Sequence, residues 1–559
     1  MKTIDLHVHS TKSDGSLSPT ELVKYALKKG LSAIALSDHD TVEGIAEAVR
    51  AARGSELEVI PAIEFSTEYE GKDIHILGLY IDYSGAEFQQ YLQEFQDSRT
   101  LRNIKMCARL TEHGVPVSYE DLCARFPEAV LTRAHYAKYM LEKGYIKSMP
   151  EAFERYIGDH APCFLPREKV TPMQAVELIL KAGGVPILAH PVLYHMSDAR
   201  LEELVACLKE CGLAGIEAVY STYNTAEERK MRHLANKYEL LISGGSDFHG
   251  QNKPGLDLGT GYGSLLIPYE ILENIKKYRR ENGRFKNRII FSDMDGTLLN
   301  DAKNLSSRVH DAILNFTAEG GHFVLSSGRP LPSILETRTR LGLDLPNMYI
   351  IAYNGALVYD CDKKAAILEH RVPLDYVKKV MAVAKDCNVH AHTYNNDTII
   401  SPADDEELAY YRQHIHMPAV IAEDVTVALT KEPFKLILVH LKEDGRLEAF
   451  RNALAPWAEG KMHTFYSSPC YLECCMKESS KGNAVRFLCE HLGIAIKDSI
   501  AAGDAANDIS MLQAAGFGVC MQNGTADAKE AADYITKADN NHDGFLEIFE
   551  KLGVSNDDY

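Results

Sequence analysis

The sequence predicts an α/β protein in which a βα barrel precedes a second, separate α/β unit. Three observations predict this. Short apolar strands alternate with amphipathic helical stretches through the first half. Metal-ligand residues stand at or just after the ends of those strands. Past residue 288 the pattern restarts, with the apolar run Ile289-Ile290-Phe291 feeding into Asp293-Met294-Asp295-Gly296-Thr297.

Composition fits that reading. The chain has 559 residues, 45% of them hydrophobic, enough for several buried cores. Twelve cysteines are scattered without the density of a disulfide scaffold, which suits a reducing compartment. A net charge of -19 excludes a nucleic-acid binder that works by bulk positive charge. No apolar run approaches the ~18 residues of a membrane span, and the start, Met1 to His7, lacks a signal-peptide apolar region. The expectation is a soluble, cytoplasmic protein without a membrane partner.

In the first half, residues 3–9 (TIDLHVH) alternate as a strand does, which places His7 and His9 on one face. Two imidazoles side by side are a metal-ligand arrangement. Asp14-Gly15 follows in a polar loop, and Pro19 and Glu21 open an amphipathic helix carrying Leu22, Val23, Ala26 and Leu27. Leu31 to Leu36 is a second strand and ends in Ser37-Asp38-His39-Asp40. Val59 to Glu64 is a third, and Asp73 to Tyr80 carries His75. Val185 to His190 ends in His190-Pro191, and Leu240 to Ser243 leads to Gly244-Gly245-Ser246-Asp247-Phe248-His249. Helical segments over about 171–182, 198–210 and 224–237 separate the later strands. A single histidine in such a position is ordinarily a satisfied core or surface residue. His7, His9, Asp14, His39, Glu64, His75, His190, Asp247 and His249 together defeat that reading. They suit two or three divalent ions such as Mn2+, Zn2+ or Fe2+, and exceed what one ion needs.

At these residues the sequence resembles the PHP (polymerase and histidinol phosphatase) family. HxH at 7–9, DHD at 38–40, AHP at 189–191 and SDFH at 246–249 follow that family's order. The resemblance covers about residues 1–283. It implies a distorted (β/α)7 barrel with a trinuclear metal centre that hydrolyses phosphoesters. On that pattern His7, His9, Glu64 and Asp247 hold one ion. Glu64 bridges to a second, held by His75 and His190, and Asp14, His39 and His249 hold the third. STKSDG, SDHDT and LTRAHYAKYMLEKGYI (131–146) most resemble the branch that removes the 3'-phosphate of nucleoside 3',5'-bisphosphates and trims short RNA from its 5' end. That branch implies a helical insert, here about 99–160. Within it Arg133 and His135 are the expected phosphate contacts, because Arg grips phosphate through a bidentate fork. Arg99 and Arg102 add to the insert's local basic charge, and Lys105 and Arg109 are expected to lie on a solvated helix face.

Tyr269 to Arg288 reads as a helix and a short linker. Its basic residues lack the interleaved aromatics of a nucleic-acid platform, so a solvated connector is expected. In the second half, Leu305 to Ala318 is helical, and His322 to Leu325 is a strand ending at Ser326-Ser327-Gly328-Arg329-Pro330. A hydroxyl and backbone N–H groups at a helix start make a phosphate seat. Tyr349 to Ala352 leads to Asn354-Gly355, Lys481-Gly482 opens a helix, and Ser499 to Ala502 ends in Gly503-Asp504-Ala505-Ala506-Asn507-Asp508.

These residues resemble the haloacid dehalogenase (HAD) superfamily, and within it the Cof-like phosphatases. DMDGT, SSGRP, YNGA at 353–356, SKG at 480–482 and GDAANDISML at 503–512 appear in that order, over about 288–554. The resemblance implies a Rossmann-like core with an α/β cap, the cap over about 373–470. It implies Asp293 as nucleophile and Asp295 as general acid/base. Ser327 and Lys481 would hold the phosphoryl group, and Arg329 and Asn354 the substrate. Mg2+ would be bound by Asp293, the Asp295 carbonyl and Asp504, with Asn507 and Asp508 nearby. The cap residues His390, His392, Tyr394 and Asn395 offer no clear ligand and are expected to be core or surface.

The leading expectation is a bifunctional phosphatase acting on small phosphorylated metabolites or nucleotides, with short RNA as a further substrate of the first half. A sensor of a phosphorylated ligand and an RNA exonuclease are the alternatives.

Overall fold

A computed structural model of the chain describes residues 2–552 apart from 128, 159–160, 166–170, 396–397 and 415–416, and only the backbone of 86, 87, 95, 96, 98, 99 and 414. The chain forms two compact units that divide between Arg279 and Arg280.

In the first unit, seven strands lie side by side in chain order: β1 (Ile4–Val8), β2 (Ala33–Leu36), β3 (Glu58–Tyr69), β4 (Lys72–Leu79), β5 (Val185–Leu188), β6 (Gly215–Tyr220) and β7 (Leu241–Gly245). The His9 N–H donates to the Phe248 carbonyl and the Asp247 N–H to the His7 carbonyl, each at 2.9 Å, which brings β7 back against β1. One apolar cluster draws on all seven strands, from Ile4 and Leu6 of β1 to Leu241 of β7. The helix Pro19–Lys29 begins at the Ser18–Glu21 capping box and buries Leu22, Val23 and Ala26.

Two features depart from the sequence reading. Strict strand–helix alternation fails at β3 and β4, which form an antiparallel hairpin; β4 also runs antiparallel to β5. The turn between them is Glu70-Gly71, both with positive φ (52° and 77°), which closes a hairpin where a helical crossover was expected. The helical layer also begins earlier than about residue 99. Its first helix is Ala86–Glu112, whose opening turns bury Phe88 and Leu92, an apolar pair at helical spacing. With Tyr119–Arg125 and Arg133–Glu142 it packs around Met106, Leu110, Leu122, Tyr136 and Met140.

The second unit holds two sheets. The strands of its core are β8 (Ile289–Asp293), β9 (His322–Ser326), β10 (Met348–Ala352), β11 (Leu357–Asp360) and β12 (Ala365–Glu369). The chain then builds a second, six-stranded sheet from β13 (His390–Tyr394), β14 (Ile399–Ser401), β15 (Ala419–Ile421), β16 (Lys435–Val439), β17 (Met462–Ser468) and β18 (Tyr471–Met476). It returns to the core with β19 (Ser499–Gly503), β20 (Phe517–Cys520) and β21 (Tyr534–Ile535). The core order is β12-β11-β10-β9-β8-β19-β20-β21, with β10 through β20 parallel. The strand order reverses beside β8, and the crevice at such a point is where open α/β sheets bind ligands. β18 pairs with both β16 and β17, so the cap runs to Met476 and not merely to about 470. Cys474 is packed in the cap core with Leu436, Leu438 and Phe450.

Candidate active sites

The nine ligand candidates of the first unit converge. His7 Nε2 lies 3.4 Å from Glu64 Oε2 and 3.7 Å from Asp247 Oδ1. His9 Nε2 lies 3.4 Å from Glu64 Oε2 and 3.3 Å from Asp247 Oδ1. Glu64 Oε1 meets His75 Nδ1 at 2.9 Å and His190 Nε2 at 3.0 Å, and Glu64 Oε2 meets His39 Nδ1 at 3.0 Å. His249 Nε2 lies 3.1 Å from Asp14 Oδ1, and His39 Nε2 3.9 Å from Asp14 Oδ2. Ligand atoms gather within 4.8 Å of one another in four overlapping groups: His9-Asp14-His39-His249, His7-Glu64-His190, His7-His9-Asp247 and His39-Glu64-His75.

The cluster fits divalent ions by its unmet bonding. His7 Nε2, His9 Nε2, Asp14 Oδ1, Glu64 Oε2 and His190 Nδ1 are buried without a hydrogen-bond partner, an arrangement costly to leave unmet. Burial opposes ionisation of Glu64, yet His39, His7 and His75 hold it well below the usual carboxylate range. It is an anion at the centre of five imidazoles. Asp40, His190 and Asp247 all take positive φ (52°, 28° and 57°), strained backbone of the kind found at functional sites.

Residues that the sequence reading did not single out hold these candidate ligands in place. Tyr220 OH donates to Asp247 Oδ2 at 2.6 Å, and Lys253 Nζ pairs with the same oxygen at 2.5 Å. Oδ1 is thereby left toward the histidines. Thr132 Oγ1 donates to Asp14 Oδ2 at 3.0 Å. The Asp38 carboxylate accepts from Ser10 and Ser13, and Asp5 from Ser246 and Gly259. Glu217, fully buried, lies 3.2 Å from His7 Nδ1 and accepts the His190 N–H at 2.8 Å. A carboxylate in the apolar run Gly215–Tyr220 was the one signal that could have found it. Gly245 makes the approach of β1 and β6 tolerable. A Cβ there would sit 2.1 Å from His7 Cβ and 2.9 Å from Glu217 Oε1.

The expected phosphate contacts are engaged otherwise. The Arg133 guanidinium pairs with Asp73 and lies over the Phe164 ring. His135 is buried, and its Nδ1 accepts the Thr132 N–H at 2.9 Å, closing the capping box of Arg133–Glu142. Arg102 and Arg109 donate to the Leu165 and Phe164 carbonyls.

In the second unit, β8 ends on Asp293, and Lys481 Nζ bridges Asp293 Oδ1 and Asp508 Oδ1 at 2.6 Å each. Lys481 is fully buried at the start of the helix Lys481–Leu492. Asp293, Asp504 and Asp508 present oxygens within 4.8 Å of one another. Burial and Asp508 push Asp293 well above the usual carboxylate range, and the same causes push Asp504 up to about 6. Three carboxylates with one ammonium are under-neutralised, which a divalent cation corrects. Gly296 (φ 84°) keeps the loop close, since a Cβ there would lie 2.6 Å from Asp504 Oδ2.

Ser327 follows β9, and its N–H donates to the Ile351 carbonyl at 2.8 Å. Asp295 turns away from Asp293's cluster toward Arg329 at 2.6 Å and Lys303 at 2.7 Å. Burial opposes, but those two cations lower its pKa. Asn507 donates to Asn354 Oδ1 at 3.3 Å. Asn354 in turn donates to Glu473 of the cap at 3.1 Å. Lys435, also from the cap, pairs with Glu473 at 3.0 Å and donates to the Gly328 carbonyl. The cap thus reaches Gly328 and Asn354 of the core through a buried ion pair. His390 bonds Asp405 at 2.7 Å and His392 at 3.1 Å, so both histidines belong to the cap interior.

Fold and sites define a chain that joins two metal-dependent phosphoester hydrolases. Comparison with known proteins agrees. Residues 5–149 match the PHP domain model and residues 290–549 the haloacid dehalogenase-like hydrolase model. A 5'-3' exoribonuclease of Haemophilus influenzae is 38% identical over 248 residues, 44% of this chain and 90% of that one. A 3',5'-nucleoside bisphosphate phosphatase of Chromobacterium violaceum is 31% identical over 262 residues, 46% of this chain and 91% of that one. A putative phosphatase of Haemophilus influenzae is 30% identical over 265 residues, 47% of this chain and 97% of that one. The chain belongs to the PHP family through its first unit and to the haloacid dehalogenase-like hydrolases through its second.

Proposed function

We propose that the protein is a cytoplasmic bifunctional phosphatase whose halves use different chemistry. The first would remove phosphate from nucleoside 3',5'-bisphosphates or short RNA ends. The second would dephosphorylate a small phosphometabolite through an aspartyl-phosphate. The observation that carries this is the presence of two separate clusters, each holding more buried ligand atoms or charges than the chain itself satisfies. Twelve free cysteines fit a reducing compartment, and among the described residues no helix is long and apolar enough to cross a membrane.

In the first unit His7, His9, Asp14, His39, Glu64, His75, His190, Asp247 and His249 would hold up to three ions, Mn2+ by preference, or Zn2+ or Fe2+. Such ions supply Lewis acidity toward phosphoryl oxygens and lower the pKa of water toward neutrality. The chain's own residues set the geometry. Tyr220 and Lys253 restrict Asp247 to one oxygen, and Thr132 ties the start of the insert helix to Asp14. Arg133 would reach a phosphate only by leaving Asp73.

In the second unit, Asp293, the Asp295 carbonyl, Asp504 and Asp508 would hold Mg2+. An Asp293 carboxylate oxygen forms the bond to phosphorus as the bond to the leaving oxygen breaks. Asp295 gives that oxygen its proton and later takes one from the water that opens the aspartyl-phosphate. Lys481 offsets the charge on the phosphoryl oxygens, and Ser327 offers its hydroxyl to them. Binding of an anionic substrate would draw Arg329 and Lys303 from Asp295, raising its pKa toward the acid form.

His9→Ala and Asp293→Asn, assayed in the full chain against one panel of bisphosphates, short RNAs and sugar phosphates, test the reading. Each substitution should abolish turnover of one group of substrates and spare the other. Full activity of Asp293→Asn on every sugar phosphate would sink the second half of the proposal.

A further inference from the structure

Six of the seven barrel strands carry, or lead to, a predicted metal ligand; β6 does not. We infer that β6 is the positioning strand of the metal centre, with Glu217 selecting the ligating tautomer of His7. The inference rests on the ligand reading above.

Glu217 has no exposed surface, and its Oε1 lies 3.2 Å from His7 Nδ1, with Oε2 at 3.4 Å. A carboxylate can only accept, so the proton of His7 sits on Nδ1. The Nε2 lone pair then faces Glu64 Oε2 at 3.4 Å and Asp247 Oδ1 at 3.7 Å, where it has no hydrogen-bond partner. Without Glu217 the neighbouring Glu64 and Asp247 carboxylates would favour the proton on Nε2, and the tautomer protonated there cannot ligate.

The same carboxylate holds a second ligand residue. Its Oε2 accepts the His190 N–H at 2.8 Å, at a residue whose φ of 28° the chain would not adopt unaided. One buried group thus couples ligands of two different ions. Two neighbours support the assignment. Gly245 leaves the space that lets Glu217 and His7 approach. Tyr220, three residues along β6, holds Asp247 Oδ2 and leaves Oδ1 for the centre. A buried carboxylate that served only to satisfy the His190 N–H would need no imidazole beside it. A carboxylate behind a ligating imidazole typically changes metal affinity when lost, by about 10–100-fold.

The test is a Mn2+ titration by calorimetry, with elemental analysis of bound metal, on chelator-stripped full-length protein. The set is wild type, His7→Ala, Glu217→Gln, Glu217→Asp and the His7→Ala/Glu217→Gln pair, each checked for an unchanged circular-dichroism spectrum. Glu217→Gln keeps shape and the acceptor for His190 but offers an amide donor to Nδ1, favouring the wrong tautomer. Its tightest Mn2+ site should weaken by about 10–100-fold, and Glu217→Asp should bind more tightly than Glu217→Gln. The double variant should be no weaker than His7→Ala alone, because Glu217 acts through His7. Additive losses, wild-type affinity in Glu217→Gln, or Gln binding better than Asp would each overturn the inference. Normal metal content in His7→Ala would overturn the ligand assignment beneath it, a separate failure that the single variant reveals.

Discussion

Replacing Lys481 by Met removes one positive charge and leaves its neighbours in place. Lys481 is fully buried and makes two ion pairs of 2.6 Å, to Asp293 and Asp508, plus a hydrogen bond to the Ser326 carbonyl at 3.2 Å. Hydrogen bonds to charged groups are worth about 1.5–3 kcal/mol each, and removing one partner of a buried ion pair costs about 3–5 kcal/mol. The two carboxylates would then face each other and Asp504 without compensation. In metal-free protein the second unit should lose about 3–5 kcal/mol, on the order of 10 °C in melting temperature for a unit of this size. Mg2+ at about 100 times its dissociation constant returns up to about 2.7 kcal/mol, and the variant needs that charge more than the wild type does. The assay is thermal denaturation with EDTA and with Mg2+, for both proteins. The variant should melt lower in EDTA and gain more from Mg2+ than the wild type. Turnover of sugar phosphates by the second unit should fall by about 100–1,000-fold, as when a preorganised donor to a developing charge is lost. Equal melting in EDTA, or an equal gain from Mg2+, would refute the claim that Lys481 is the cluster's internal counter-ion.

Gly245→Ala should bring a Cβ within 2.1 Å of His7 Cβ. Overpacking of that kind costs about 1–3 kcal/mol, and the metal content of the first unit, read by elemental analysis, should drop with it. His322 supplies a pH test remote from both metal clusters. Burial lowers its pKa, with Asp362 and Asp360 partly opposing. The unfolded chain therefore takes up the proton first, near its usual pKa of about 6.5. The stability that neutral His322 contributes is fully present above that value and is lost as pH falls through it toward the folded-state pKa. His322→Gln should make the melting temperature of the second unit fall less steeply between about pH 7 and pH 5; parallel profiles for variant and wild type would contradict this.

Much of the candidate chemistry was legible because it is local. HxH on β1 is a period-two pattern, and alternation alone puts both imidazoles on one face. Asp293, Ser327 and the Asp504–Asp508 loop were legible for a related reason: each follows a short apolar run, and parallel strands deliver their C-terminal ends to one edge. The β3–β4 hairpin was harder to read, because the positive φ at Glu70 is a property of the turn and not of a recognisable residue type. The start of the helix Ala86–Glu112 went unread although Phe88, Tyr91 and Leu92 stand at helical spacing, because the helical insert was placed by resemblance from about residue 99.

By itself, then, the sequence determined the two α/β units, the strands that carry the candidate ligands and the loop that presents Asp293, since period and spacing act over a few residues. Tertiary structure alone decided which partners those residues keep. Arg133 turned to Asp73, His135 to its own helix cap, and Asp295 to Arg329 and Lys303. Glu217 reached His7 across 210 residues of chain, and Lys435 and Glu473 of the cap met Gly328 and Asn354 of the core. The physical reason is that a buried charge must find its counter-charge or hydrogen bond wherever packing brings one, and nothing in local sequence encodes that distance.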